Sequence, residues 1–168
     1  MIPPKIKNSV SHRLSAGINI FFNISVKDKN RWKEFIKAEI KVTRQSHFEQ
    51  LPPGFSFSRK LYRAFSIDPT KYRPSSEALW RRIKKGLDFP FVNPFVDLTN
   101  LLSLKYQVSY GLYDLDKVEG DVEIAQGGGG DSYQGIRKDM INLEGKILLR
   151  EKKGPDQNKN KKCSHMEH

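Results

Sequence analysis

The 168-residue chain has one cysteine, Cys163, so no disulfide can close within it. A chain without that staple relies on its own core, and the expected setting is a reducing, cytosolic compartment. Long apolar runs are missing as well. The longest, Ile18 to Val26, is nine residues interrupted by Asn19, Asn23 and Ser25, whereas a bilayer-spanning helix takes about 20 apolar residues. Lys5, Lys7 and Arg13 ahead of that run imitate a secretory leader, but the two asparagines inside it and the lack of a small-x-small cleavage site speak against one. No membrane partner is expected. There is no repeat of solenoid period and no heptad seam, which excludes solenoids and coiled coils. The run Gly127 to Gly130 is followed by Asp131-Ser132 rather than Lys-Ser. An acid at that point repels phosphate, so the run reads as a loop between strands rather than a phosphate cradle.

Acidic residues are scarce in the first half. Residues 1–90 hold 19 Lys or Arg and 7 Asp or Glu, a net of +12, while residues 91–168 hold 11 and 12, a net of −1, which together make the +11 of the whole chain. An excess placed on one side favours an anionic partner through counterion release. Solubility is the plainer reading. The bases are interleaved with aromatics in Phe55-Ser56-Phe57-Ser58-Arg59-Lys60-Leu61-Tyr62-Arg63-Ala64-Phe65, and phosphate pairing beside ring stacking suits RNA. With 37% apolar and 11% aromatic residues the composition is that of a globular protein, and a chain this long buries about 70% of its unfolded surface.

Patterning predicts an α+β order with sheet at both ends. Ile18, Ile20, Phe22, Ile24 and Val26 alternate as in a one-faced strand within Leu14 to Val26. From a cap at Asn30, Trp32, Phe35, Ile36 and Ile40 fall at helical spacing, with Arg31, Lys33, Lys37, Lys41 and Arg44 on other faces. Leu51-Pro52-Pro53-Gly54 breaks that helix, and a short second one runs through Leu61, Tyr62 and Phe65 to Ile67-Asp68-Pro69. Pro74 and Ser75 open a basic third helix with Leu79 and Ile83 on one side and Gly86 at its end. Asn93-Pro94 opens a fourth, carried by Phe95, Leu98, Leu102 and Tyr106. A turn at Asp114 to Asp116, a strand at Asp121 to Ala125, and strands at Ile141 to Leu143 and Lys146 to Leu149 joined by Glu144-Gly145 complete the order. Residues 1–150 are expected to form one domain and residues 151–168 a disordered polar tail.

Other residues that could carry chemistry do so weakly. Cys163, His165 and His168 have ligand-like spacing, but a structural zinc site needs four ligands on a held scaffold, so no metal is expected. His12 and His47 stand far apart with no cysteine nearby. Asp114, Asp116, Glu119, Asp121 and Glu123 match neither a calcium loop nor a hydrolase pair and read as a solvated turn leading into a strand. Ser75 and Ser76 have no neighbouring base and read as helix-start residues.

Two blocks point further. Asn93-Pro94-Phe95-Val96-Asp97-Leu98-Thr99-Asn100, followed by Tyr113-Asp114-Leu115-Asp116-Lys117-Val118-Glu119-Gly120, resembles the central signature of the tRNA-editing B3/B4 domain of the bacterial phenylalanyl-tRNA synthetase beta subunit. That signature runs N-x-V-V-D, valine or isoleucine, T-N, then about a dozen residues, then H-A-F-D-L-D-K. Ser75, Leu79, Arg82 and Ile83 resemble the family's preceding helix, and Asp68 to Leu79 is similar to its stand-alone members. The resemblance spans about Ile67 to Leu149. It implies a layered α+β domain that admits the acylated end of tRNA and hydrolyses tyrosine wrongly attached to it, orienting water and polarising the carbonyl without metal or cofactor. By the same resemblance Asn100 stands in the substrate pocket, the alternative being a polar residue on the exposed side of the fourth helix. The family's pocket histidine falls at Gly111. The chain diverges at Gly154-Pro155, so the family's C-terminal strands are expected to be missing and the strand at Ile147 to Leu149 to have an open edge. The tRNA or other RNA is expected on Arg59, Lys60, Arg63, Arg81, Arg82, Lys84 and Lys85. No catalytic residue is assigned. Three readings stand: an RNA-binding domain that hydrolyses misacylated tRNA, a non-catalytic binding module, favoured by Gly111, and a truncated, inactive family member.

Overall fold

A computed structural model describes residues 3–25, 32–45, 51–134, 140–152 and 163–165. Strand β1 (Ile6–Asn8) comes first. Four helices follow, α1 (Lys33–Gln45), α2 (Pro53–Ala64), α3 (Ser75–Lys84) and α4 (Pro94–Tyr106). A single 3-10 turn (Leu115–Lys117) leads into β2 (Asp121–Gln126), β3 (Ser132–Gln134), β4 (Met140–Asn142), β5 (Ile147–Lys152) and β6 (Cys163–His165). The order is α+β with sheet at both ends of the chain, as patterning predicts. The chain divides into two compact units. One draws on Met1–Ile20, Arg63–Ile67 and Tyr113–Glu167 and holds the strands; the other draws on Phe21–Tyr62 and Asp68–Leu112 and holds most of the helical residues.

In the helical unit each helix buries one stripe. Ile36 and Ile40 of α1, Phe55 of α2, Trp80 and Ile83 of α3, and Leu101 and Leu104 of α4 meet Phe89 in one core, where the Phe55 and Trp80 rings lie 5.8 Å apart. The ends are set locally. Helix α3 stops in a Schellman motif: Gly86, at φ +77°, donates to the Ile83 carbonyl at 3.0 Å and Leu87 to the Arg82 carbonyl at 3.2 Å. Helix α2 starts at Pro53, so the proline pair that was expected only to break the preceding helix also opens the next, where a missing N–H costs nothing. The buried face of α4 is Asp97, Leu101, Ser103 and Leu104, with Tyr106 exposed. The expected face of Phe95, Leu98, Leu102 and Tyr106 is displaced because the helix is apolar on most sides and its neighbours choose the side.

The strand unit has a four-stranded sheet in the order β1-β2-β5-β6 and a separate β3–β4 pair. β1 runs parallel to β2, with Ile6 opposite Val122, and β5 antiparallel to it, with Ile124 opposite Leu149. Ala125, Leu143 and Leu148 form its core.

Three expectations are corrected. Residues 14–25 form no strand, and Ile18, Phe21, Phe22 and Ile24 are exposed; alternation marks a stretch able to pair, but a strand exists only with a partner, and the sheet of β1, β2, β5 and β6 does not include this run. Val26 and the Asn30 cap lie outside the described residues. Secondly, β4 and β5 do not pair as a hairpin. The Leu143 to Lys146 turn forms, with Lys146 donating to the Leu143 carbonyl at 3.0 Å, but β4 pairs with β3 and β5 with β2 and β6. Thirdly, β5 has a neighbour on either side, so the open edge expected at Ile147 to Leu149 is covered. β6 lies in the segment expected to be a disordered tail, of which residues 153–162 and 166–168 lie outside the described residues.

The tetraglycine loop is tied down. Gly127 donates to the Lys146 carbonyl at 2.8 Å and accepts from Gly145 at 2.9 Å, and a Cβ on it would collide with the Leu143 carbonyl. Asp131, the residue that spoils a phosphate cradle, accepts from Gly128 at 2.8 Å and pairs with Arg150 at 2.7 Å.

Candidate functional site

Most of the two signature blocks is occupied with shaping the backbone. The Asn93 side chain caps α4, accepting from Phe95 at 3.0 Å and Val96 at 3.1 Å, with Pro94 in the first helical position. Asp97, buried, reaches back to accept from the Val92 amide at 2.7 Å. Thr99 donates to the Phe95 carbonyl at 2.6 Å. In the second block Asp114 accepts from the Asp116 amide at 3.2 Å and pairs with Lys117 at 3.2 Å, and Gly120, at φ +77°, turns the chain into β2. Asn100 is different. It is half-buried on α4, and among the described residues no hydrogen bond engages its side-chain amide, so both donor and acceptor remain open to a ligand. Gly111 is half-buried in the irregular segment after α4 and offers backbone only.

The basic candidates separate into two kinds. Lys60 and Lys85 are exposed on α2 and just past α3, and Arg63, counted with the strand unit, is exposed too. Lys60 lies 5.7 Å over the ring of Phe57, which is 69% exposed. The others are engaged by the protein. Arg82 donates to the Asp88 carbonyl at 2.6 Å and Lys84 to the Arg44 carbonyl at 3.4 Å. Arg59 and Arg81 converge on one carboxylate. Arg59 grips Glu77 with two bonds of 2.7 Å, Nε to Oε2 and Nη2 to Oε1, and Arg81 Nε reaches Oε1 at 2.8 Å. Glu77 is 0% exposed. Burial alone pushes its carboxyl up, but the hydrogen bonds and charges of the two guanidiniums together outweigh that and hold it below its ordinary range. The bond to Glu77 raises the Arg59 guanidinium in turn.

Glu77 escaped the sequence reading, although its four-residue spacing to Arg81 on one helix was a visible signal. Arg59 stands 18 residues away, and nothing local announces that partner. Ser76, read as a helix-start residue, sits in the first turn of α3, fully buried, its hydroxyl 3.2 Å from that of Ser109. Among the described residues no three His, Cys, Asp or Glu side chains are placed to hold a metal ion, and no helix is long and apolar enough to cross a membrane.

An α+β chain with a basic, aromatic-bearing helical unit and a signature that builds a capped helix and a turn into a strand is thereby defined. A family model described as the B3/4 domain matches residues 58–155, which is more than half of the 168 residues. The protein belongs to the B3/4 domain family, the domain that the two blocks resemble and that relates it to the phenylalanyl-tRNA synthetase beta subunit. No curated protein matches the chain, and no solved structure does.

Proposed function

We propose that this B3/4 protein acts in the cytosol by binding RNA, of the tRNA class, through its helical unit. The observation that carries the reading is the pairing of exposed rings with lysines where the chain is most basic: Lys60 over Phe57, and Lys71 5.5 Å from the ring of Tyr72, itself 42% exposed. An aromatic face that stacks a base beside an ammonium that meets its phosphate is the elementary unit of single-strand recognition. Lys85 and the open amide of Asn100 belong to the same unit and add a phosphate contact and a polar reader.

A labelled phenylalanine tRNA transcript titrated with the protein tests this by fluorescence anisotropy. Binding at 50 mM salt should fall steeply by 200 mM, and Phe57→Ala with Tyr72→Ala should weaken it about tenfold or more. Absence of binding at 50 mM salt overturns the reading. Hydrolysis of a misacylated ester is the finer question. Gly111 supplies no imidazole to orient water, which favours a binding module over a deacylase. With tyrosine-charged phenylalanine tRNA the module reading expects the spontaneous hydrolysis rate, and a rate well above it, abolished in Asn100→Ala, would establish the enzyme.

A further inference from the structure

We infer that Arg59 and Arg81, held in place by Glu77, form a clamp for one phosphate group. Two guanidiniums around one carboxylate leave a net charge of about +1 at the cluster, and Arg59 and Arg81 are the charged groups that act on Glu77. Each guanidinium carries five N–H donors. Three of the ten are spent on Glu77. The Arg59 side chain is 22% exposed and that of Arg81 40%, against 0% for the carboxylate between them. Positive groups therefore face outward and the negative group inward.

A purely structural pair would not need the second arginine. The two-bond grip of Arg59 already balances the charge of Glu77, and Arg81, its side chain 40% exposed, adds a third bond and leaves the cluster with an uncompensated positive charge. What the second arginine adds is a positioned donor set. With its Nε fixed on Glu77, Arg81 has both terminal nitrogens to offer. A guanidinium fork matches two oxygens of a tetrahedral phosphate, and a fork already immobilised loses less entropy on binding than a free one. Exposed Lys85 stands four residues after Arg81. Glu77 is a positioning residue in this scheme. The occupant is a phosphodiester of the RNA backbone, which rests on the function proposed above.

The test uses the full chain with two probes, a fluorescein-labelled single-stranded RNA 12-mer followed by anisotropy and inorganic phosphate followed by calorimetry. Glu77→Gln raises the charge of the cluster to about +2, so simple electrostatics expects tighter RNA binding. The clamp expects binding about tenfold weaker, because both arginines lose their anchor. Arg81→Lys keeps the charge and should weaken binding about fivefold or more with an unchanged salt slope, whereas Arg81→Gln should reduce that slope by about one. Circular dichroism melts show which variants fold, and if Glu77→Gln does not, Arg81→Lys decides. RNA affinity that stays at the wild-type level in Arg81→Lys, or stays or rises in a folded Glu77→Gln, overturns the clamp and leaves the RNA reading standing. If wild-type protein fails to bind the RNA but binds phosphate, and loses it in Arg81→Lys, the clamp stands and the RNA reading falls. Failure to bind either probe overturns both.

Discussion

Glu77 shows how much one side chain can organise. It is buried, which by itself pushes a carboxyl up, and three charge-assisted hydrogen bonds from the two guanidiniums more than offset that. Its carboxyl is held below the ordinary value of about 4.5 in the folded state. The folded state thus binds fewer protons there than the unfolded one, and the resulting stability is complete above the unfolded value and lost as pH falls through the folded one. The wild-type melting temperature should drop on acidification below about pH 4.5, and Glu77→Gln, about 3 kcal/mol less stable at pH 7, should lose that part of the drop. Melts by circular dichroism between pH 3 and pH 7 check both points. A parallel decline in the two proteins would mean that Glu77 is not the linked group. Half of this arrangement was legible: the Glu77–Arg81 spacing is a helical neighbour relation, but the contact with Arg59 exists only once α2 and α3 are packed.

At the scale of the element, the signature of the family turns out to be largely a set of instructions for α4 and for the entry to β2. Asn93 supplies two backbone donors with an acceptor at the helix start. Asn93→Ala should cost about 1 kcal/mol, and Asn93→Asp, which keeps the acceptor, should cost much less. Urea midpoints of the two variants against wild type measure this, and equal midpoints for alanine and aspartate would show that the cap contributes nothing. The helix starts and stops were readable because they depend on residues next to one another: Asn93-Pro94 before α4, Pro74 before α3, Gly86 after it. The buried face of α4 was not readable. A helix with apolar residues on most sides carries no periodic signal, and Leu101 and Leu104 are inside because of where Trp80 and Phe55 sit.

For the whole molecule, the sheet depends on pairing between distant parts of the chain. β1 and β2 are 116 residues apart in every paired position, from Ile6 with Val122 to Asn8 with Ile124, and β5 is enclosed by β2 and β6. A chain ended at Lys152 would uncover the β5 edge at Leu148 to Arg150, which β6 otherwise pairs. Unpaired edges recruit other chains, so the shortened protein should scatter more light at equal concentration than the full chain. Equal scattering would argue that β6 protects nothing.

The linear order of residues was enough to place the basic excess in residues 1–90, to set both ends of α3 and the start of α4, and to carry the family signature, since charge is additive and caps and signatures act over a few neighbouring positions. Which strand accompanies which, and which cations the protein itself engages, followed from packing. The apolar run at Ile18 to Ile24 alternates as a strand does and stays outside the sheet of β1, β2, β5 and β6, because alternation is local and pairing is not. Arg59 and Arg81 look like any other bases in the chain, and they are distinguished by a carboxylate buried between them, because a counter-ion in a low-dielectric interior is chosen by distance in space.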